Sequence, residues 1–447
     1  MQISPYRDTL QDKPLIPVMP GGGSIVHEKR IENLGVTEWS LSNGVRVILK
    51  PTDFKNNEIL LGAYSPGGHS LAADSDYVAA VTASALVREG GIGGFNAIEL
   101  QKKLSGKLAE VSPWIGELFE GFEGSATPED LETMFQLIYL YFSSPRMDES
   151  AYSAYKERVE AFFENRSSSP EAVFWDMVTE TLTQDHLRGR PWKKETLAAM
   201  DLESSFAVYK DRFADAGDFT FILVGNFELE KVRTLVERYL GSLPSTGRKE
   251  SWKDLGIDPP QGVVERIVRR GVEDKSRVQI IFNGNFDWSR ENIFLLDGLA
   301  EILDIRLRES LREEQGGVYS IGVSESDSNY PDQEYFFYIG FGSSPGQVEN
   351  LSNLVFDEIS LLQSDGPAQD SVDKVIEILK RERETNMREN DFWLNVLRSY
   401  NMNNLDPELI LAFDQLIDTL TPEKIRQAAK KYLNLERYVR VILLPEG

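Results

Sequence analysis

The sequence predicts an α+β protein built from two tandem copies of one domain, each a mainly antiparallel sheet covered by helices. Segments with strand periodicity and segments with helix periodicity are mixed along all 447 residues, which is typical of this class. Features of the first half of the chain recur in the second half, which indicates a duplication. A chain of this length also exceeds what one hydrophobic core supports, so two or more domains are expected.

The duplication is clearest at two pairs of matching positions. Trp175 and Trp393 each follow a long helical pattern and a phenylalanine, and they are 218 positions apart. The apolar strand patterns that begin at Phe221 and Val441 are 220 positions apart. Two nearly equal offsets predict that the same fold occurs twice in the chain.

Composition predicts where the domains begin and end. Residues 1–34 contain four prolines and a run of three glycines, which predicts a linker or extended arm. Residues 246–262 are rich in proline, glycine and charge, and they are predicted to form the interdomain linker. The first domain is therefore predicted to span 35–245 and the second 263–447.

The first copy opens with a hairpin. Asn43-Gly44 separates two alternating segments within residues 36–50, and this dipeptide favours the tight turn of a β-hairpin. Alternation of period two and apolar spacing of about 3.6 predict the remaining elements. The predicted strands are 58–65, 109–115, 117–125 and 219–224, and the predicted helices are 76–88, 97–104, 128–143, 148–166, 175–183, 202–213 and 229–240.

The second copy contains a long helix that runs through two glycines into a strand. Leu303, Leu307 and Leu311 recur at helical spacing, and the pair Gly316-Gly317 predicts the end of the helix. Alternation after the glycines predicts a strand. The predicted strands of this copy are 276–282, 319–325 and 335–342, and the predicted helices are 291–314, 348–364 and 370–389.

This helix-to-strand corner is the candidate functional site. Arg312 lies in the last helical turn and Tyr319 at the start of the strand, so one turn brings them together. In a structural interpretation, Arg312 caps the carbonyls at the end of the helix and Tyr319 packs. In a functional interpretation, the guanidinium and the phenol both donate hydrogen bonds to the carbonyl of a bound peptide.

Composition excludes several classes of function. The formal charge of −24 and the pI of about 4.7 disfavour nucleic acid and anionic lipid, and modestly favour cationic or unfolded peptides as partners. The chain lacks cysteine, and its three histidines form no His-x-x-x-His or His-x-x-Glu-His pair. No apolar run approaches the roughly 18 residues that a membrane-spanning helix needs.

Four features carry a resemblance to a known family. They are LSNGVRVILKP with the downstream YSPGGHSL, the duplicated domain, FTFILVGNF followed by ELEKVRTLVERYLGSLPS, and LREEQGGVYSI. From about residue 36 onward, the chain resembles the non-catalytic half of an M16-family zinc metallopeptidase, an insulinase-like or pitrilysin-like enzyme. The resemblance implies that each copy is an M16-type (LuxS/MPP-like) domain.

The resemblance also implies that zinc is not bound by this chain. Active halves of the family carry His-x-x-Glu-His on the helix after the first strands, with a further glutamate on a later helix. Residues 82–89 read TASALVRE at that place, so both histidines and the general-base glutamate are missing. Glu157 or Glu160 is expected near the place of the third ligand, but one carboxylate does not hold zinc. Zinc is therefore expected in a missing catalytic half.

In this family the second half supplies an arginine and, seven residues later, a tyrosine that contact the substrate backbone and the transition state. Arg312 and Tyr319 match this pair, and Gly316 and Gly317 fit the turn between them. The resemblance thus favours the functional interpretation of the corner. It implies that Arg312 and Tyr319 stabilise the oxyanion, and that all four residues bind substrate for a zinc site on the other half.

Two functions follow from the resemblance. The first is the C-terminal half of a bacterial-type zinc endopeptidase that cleaves peptides or unfolded segments in a closed chamber, with residues 1–34 as the connection to the zinc-bearing half. The alternative is a catalytically silent peptide-binding or scaffolding subunit that pairs with a separate zinc-bearing subunit. Under both hypotheses this chain should be inactive alone. A periplasmic or cell-envelope location is expected from the resemblance.

Overall fold

A computed structural model describes residues 10, 12–315 and 318–446, with side chains outside 311–319. The chain forms two compact units. The first contains residues up to 160 together with 194–253 and 386–408, and the second contains 161–193, 254–385 and 409–447. None of the described helices is both long and apolar enough to cross a membrane.

A seven-stranded sheet organises the first unit. Its strands are β1 Ile25–Ile31, β2 Val36–Leu41, β3 Arg46–Pro51, β4 Ile59–Pro66, β5 Ala109–Ile115, β6 Phe119–Ala126 and β7 Thr220–Gly225. They lie in the order β1-β2-β3-β7-β4-β6-β5. Strands β3 and β7 are parallel, and the other neighbours are antiparallel.

A five-stranded sheet organises the second unit. Its strands are β8 Val263–Arg269, β9 Ser276–Asn285, β10 Val318–Ser328, β11 Glu334–Ser343 and β12 Tyr438–Leu444, in the order β10-β11-β9-β12-β8. Only the β8–β12 pair is parallel among these described neighbours. Read from β8, this order repeats β3-β7-β4-β6-β5 of the first sheet, with the parallel pair in the same place.

The helices cover both sheets. In chain order they are α1 Tyr77–Gly90, α2 Ala97–Lys103, α3 Leu131–Ser143, α4 Glu149–Arg166, α5 Pro170–Leu182, α6 Lys194–Ala198, α7 Leu202–Arg212, α8 Leu229–Leu235, α9 Arg290–Gln315, α10 Val348–Asp365, α11 Gln369–Asn386, α12 Asn390–Met402, α13 Phe413–Ile417 and α14 Pro422–Tyr432. Helix α8 continues as a π-helical turn over Val236–Leu240.

The core of the first unit has an aromatic centre. The ring of Phe122 on β6 lies 4.9 Å from that of Phe213, 5.2 Å from that of Phe142 and 6.3 Å from that of Phe219, measured between centroids. All four side chains are buried. Each buried apolar side chain of this size contributes on the order of 2 kcal/mol, so this cluster fixes the sheet against α3.

The opposite face of this sheet is covered by α12, which packs against β4 and β7. Ile222 and Val224 of β7 are fully buried on that side. The Lys50 ammonium of β3 lies 3.9 Å from the ring of Trp393 on α12, within cation–π distance. Burial lowers the pKa of Lys50 to about 8. The first sheet is therefore completed by a helix from late in the sequence.

Helix α5, which comes from the first half of the sequence, covers one face of the second sheet. Phe174 and Val178 of α5 form a cluster with Val268, Val439 and Val441 of β8 and β12. The other face of this sheet packs on α9, α10 and α14. Helix α5 follows α4 in the first half of the sequence, yet its apolar face lies in the second unit.

Most predicted elements match the structure. The hairpin at Asn43-Gly44 is confirmed: β2 and β3 pair antiparallel, and Gly44 has a φ of 96° that favours glycine. Strand β1 was not predicted, because IVHEKRI is polar and follows a glycine run. Strand β8 was missed for a similar reason, since its side chains are largely exposed. Helix α12 was also not predicted as a separate element.

We predict that Phe174→Ala lowers the free energy of unfolding by about 3–5 kcal/mol, because it leaves a cavity between α5 and the second sheet. Trp175→Ala is the matched control: this neighbouring side chain is 40% exposed, and its removal should have a much smaller effect. Urea unfolding of both variants tests the prediction. Equal losses would contradict the assignment of α5 to this core.

Candidate functional site

The predicted site lies where α9 ends and β10 begins. Arg312 is in the last turn of α9, and Tyr319 is the second residue of β10. Gly316 and Gly317 lie outside the described residues, as do the side chains of Arg312 and Tyr319. The backbone thus has the predicted helix and strand, and the roles of the four residues stay a prediction.

The last part of α9 is anchored to α10 by one carboxylate. The Arg306 guanidinium donates to Oε2 of Glu358 through Nε at 3.0 Å and Nη2 at 2.8 Å. The Ser310 hydroxyl donates to the other oxygen of Glu358 at 2.6 Å. Leu307, between them, is fully buried in the core. Charge-assisted bonds of this kind orient the helix that leads to Arg312.

The start of β10 is anchored to the same helix. Ile321 and Val323 pack against the core of the second unit. The backbone N–H of Val323 donates to Oδ1 of Asp304 on α9 at 3.2 Å. Oδ2 of Asp304 accepts from Arg308 at 2.6 Å. One carboxylate therefore joins the strand to the helix a few residues from the corner.

A pair of carboxyl groups lies further along the same two elements. Asp297 of α9 and Glu325 of β10 hydrogen-bond through their side chains. Burial raises the pKa of Asp297 well above its ordinary value, and the carboxylates of Glu325, Asp327 and Glu301 raise it further. Burial also raises the pKa of Glu325. A protonated Asp297 that donates to Glu325 satisfies both groups without a cation.

Sequence reasoning missed this pair. Its signal was the alternation of β10, which places Glu325 on the same face as Ile321 and Val323. A carboxylate on the core face of a strand requires a partner, and Asp297 supplies it.

Strand β10 is the edge of the second sheet. Within the part of the chain that the structure describes, β11 pairs with one side of β10 and no strand pairs with the other. Except at Val323, whose N–H is bound by Asp304, an edge of this kind presents backbone N–H and C=O groups to an extended peptide.

Helix α1 contains residues 82–89, where the resemblance predicts the zinc motif of an active half. The Thr82 and Ser205 hydroxyls are 3.0 Å apart and link α1 to α7. The Arg158 guanidinium of α4 donates to Glu89 at 2.6 Å and links α1 to α4. Among the described side chains of residues 12–310 and 320–446, no group of three or more His, Cys, Asp or Glu could hold a metal ion. Within residues 82–89 the one such side chain is that of Glu89, which pairs with Arg158.

Comparison with known proteins gives a consistent result. A family model described as the peptidase M16 inactive domain matches residues 200–379. A zinc protease PQQL-like protein of Arabidopsis thaliana is 27% identical over 99% of this chain, and the match covers 47% of that relative. This chain thus spans about half the length of the relative.

Two solved structures share the fold. The periplasmic protease PqqL from Escherichia coli has a TM-score of 0.84 at 20% identity, over 99% of this chain and 48% of that one. The ferredoxin protease FusC, in complex with Arabidopsis ferredoxin, has a TM-score of 0.81 at 21% identity. The match covers 100% of this chain and 49% of that one. The fold is shared with these proteases, and residues 200–379 match the inactive domain of the M16 peptidase family. The resemblance predicted from the sequence is therefore confirmed.

We predict that the Asp297–Glu325 pair makes stability fall as pH rises. Because the folded-state pKa values are raised, the stabilisation is complete below the ordinary carboxyl pKa and is lost as pH rises through the folded-state values. Asp297→Asn should therefore gain stability relative to the wild type as pH rises above the ordinary carboxyl pKa of about 4, measured by urea unfolding. Asp357→Asn, at an exposed position of α10, should run parallel to the wild type. A parallel curve for Asp297→Asn would contradict the prediction.

Proposed function

We propose that this chain is the non-catalytic half of an M16 zinc endopeptidase. The observation that carries the proposal is the match of residues 200–379 to the inactive domain of the family, on a chain whose α1 lacks zinc ligands. In this proposal residues 35–245 and 263–447 are two M16-type domains joined by 246–262, and 1–34 is an arm whose β1 adds a strand to the first sheet. The repeated strand order of the two sheets supports the duplication.

The zinc ion and the general base would come from another half, and zinc would activate the attacking water there. This chain would bind the peptide and stabilise the charge that develops on the scissile carbonyl. Arg312 and Tyr319 would donate to that oxygen, and each good donor in a dry site contributes on the order of 3 kcal/mol. Gly316 and Gly317, which have no side chains, would let the peptide backbone come close to the corner.

The open edge of β10 would extend this contact. A peptide in extended conformation can pair with an unpaired strand edge through its own backbone groups, whatever its sequence. Such pairing suits an enzyme that acts on unfolded segments, because affinity comes from the main chain. The anchoring of β10 and α9 through Asp304 and Glu358 supports this role, since a fixed strand and helix lose little entropy on binding.

We predict that Arg312→Ala and Tyr319→Phe each lower kcat/KM for an unstructured fluorogenic peptide by about 10²–10³-fold in the assembled, zinc-loaded enzyme. Most of the loss should fall on kcat, because the donors act on the transition state. Arg308→Ala is the matched control. This arginine lies one turn earlier on α9, is half exposed and pairs with Asp304.

The variants should unfold at the wild-type temperature, and the chain without its zinc-bearing partner should not cleave the peptide. Wild-type kcat/KM in both Arg312→Ala and Tyr319→Phe would overturn the assignment of these residues. Cleavage by this chain alone would overturn the proposal that it is a non-catalytic half.

A further inference from the structure

On the face of the second sheet that α5 contacts, two glycines lie side by side on neighbouring strands. Gly322 of β10 pairs with Gly340 of β11, and Gly340 pairs with Gln279 of β9. Arg277 lies two residues before Gln279 on β9, and Tyr338 lies two residues before Gly340 on β11. Because the strands are antiparallel, these two side chains are on opposite sides of the glycine row. Together they line a slot of about 340 Å³ formed by residues of β9, β10 and β11. It is bordered by Ser320, the residue after Tyr319.

Nothing in the fold requires glycine at position 322. A Cβ atom built on Gly322 would meet no atom within 4 Å. Its φ is not among the positive values found at other glycines of the chain. Glycine weakens a strand, and a strand glycine without a packing or backbone reason marks a place where a ligand comes close.

The slot is also lined by the side-chain amide of Gln279. Gln279 is only 6% exposed. Its Oε1 lies 2.8 Å from where a Cβ on Gly340 would be, which places the amide beside the glycine floor. No described residue forms a hydrogen bond with this side-chain amide. Because Gln279 lines the slot, its amide is available to form a hydrogen bond with a polar group of a ligand.

The charge of the slot indicates the kind of ligand. The chain has 72 Asp and Glu residues, yet none lines the slot, which instead contains the Arg277 guanidinium. Arg277 pairs with Glu171 of α5 at 3.4 Å, and both side chains are well exposed. An exposed pair at this distance is weak, so a ligand carboxylate can compete for the guanidinium. The amide of Gln279 and the phenol of Tyr338 can add donors.

We propose that this slot binds an acidic side chain of a peptide that lies along β10, with its carboxylate on Arg277 and Gln279. The inference rests on the proposed peptide-binding function and adds a preference to it. It also runs against the net charge of the chain, which by itself favours cationic peptides. Preference for an acidic residue would then be set by this slot, next to the predicted Arg312 and Tyr319 contacts.

The test uses the full chain and two labelled unstructured peptides that differ only in having glutamate or glutamine at the same positions. We expect the glutamate peptide to bind the wild type about tenfold more tightly, measured by fluorescence anisotropy. Gly322→Val should fill the slot and reduce this binding about tenfold or more. It should unfold at or above the wild-type temperature, because valine favours strands.

Ser326→Val is the matched control. It introduces the same side chain on the same exposed face of β10, outside the slot, and should bind as the wild type does. Arg277→Gln should remove the preference for glutamate. Equal binding of both peptides to the wild type, or full binding by Gly322→Val, would overturn the proposal.

The experiments distinguish a failure of the slot proposal from a failure of the proposed function. If Arg312→Ala and Tyr319→Phe reduce cleavage but Gly322→Val leaves the glutamate preference intact, the slot is wrong and the proposed function stands. If Gly322→Val and Arg277→Gln lose the preference while Arg312→Ala and Tyr319→Phe cleave normally, the slot stands and the assigned corner residues are wrong.

Discussion

Strand β7 of the first sheet and strand β12 of the second are buried and largely apolar, and this constraint determines the arrangement of the helices. Every residue of β7 is buried, as are the five central residues of β12. A strand of this kind is stable only when helices lie on each side of the sheet. Helix α3 and helix α12 cover the first sheet, and helices α9 and α5 contribute to covering the second. Exposure of either central strand would leave backbone and apolar side chains in water.

The candidate site depends on the same arrangement. Helix α9 buries Leu303 and Leu307 against the second sheet, so its direction is set by the core. Glu358 and Asp304 then fix the helix and β10 near their junction through charged hydrogen bonds. The Asp297–Glu325 pair adds a further contact, but one that depends on a proton. Helix α9 and strand β10 are therefore fixed to each other and to α10 on either side of the corner, which suits a surface that has to meet a substrate without rearranging.

The sequence predicted the local structure of this region well because local rules decide it. Leucines at helical spacing, two glycines and an alternating segment specify a helix, its end and a strand. The hairpin at Asn43-Gly44 was predictable for the same reason, since one dipeptide selects the turn. The repeat was predicted because tryptophans and strand patterns recur at nearly constant distance.

Other features could not be predicted, for a physical reason. Periodicity shows that α5 and α12 have an apolar face, but it does not show which sheet that face covers. Gly322 and Gly340 read as weak points of two strands, and only strand pairing places them side by side. Gln279 likewise has no special signal until its burial and lack of a partner are known. The roles of Arg312 and Tyr319 came from resemblance to a family and not from spacing alone.

Helix α5 comes from the first half of the sequence but belongs to the second compact unit, and α12 comes from the second half but belongs to the first. The halves of the sequence and the compact units are therefore not the same segments of chain. The chain passes from one compact unit to the other five times, so neither unit is a continuous stretch of sequence. A gene segment that encodes one repeat therefore encodes one incomplete core and part of another. Cutting the chain at the predicted linker 246–262 would therefore leave the first unit without α12 and the second without α5.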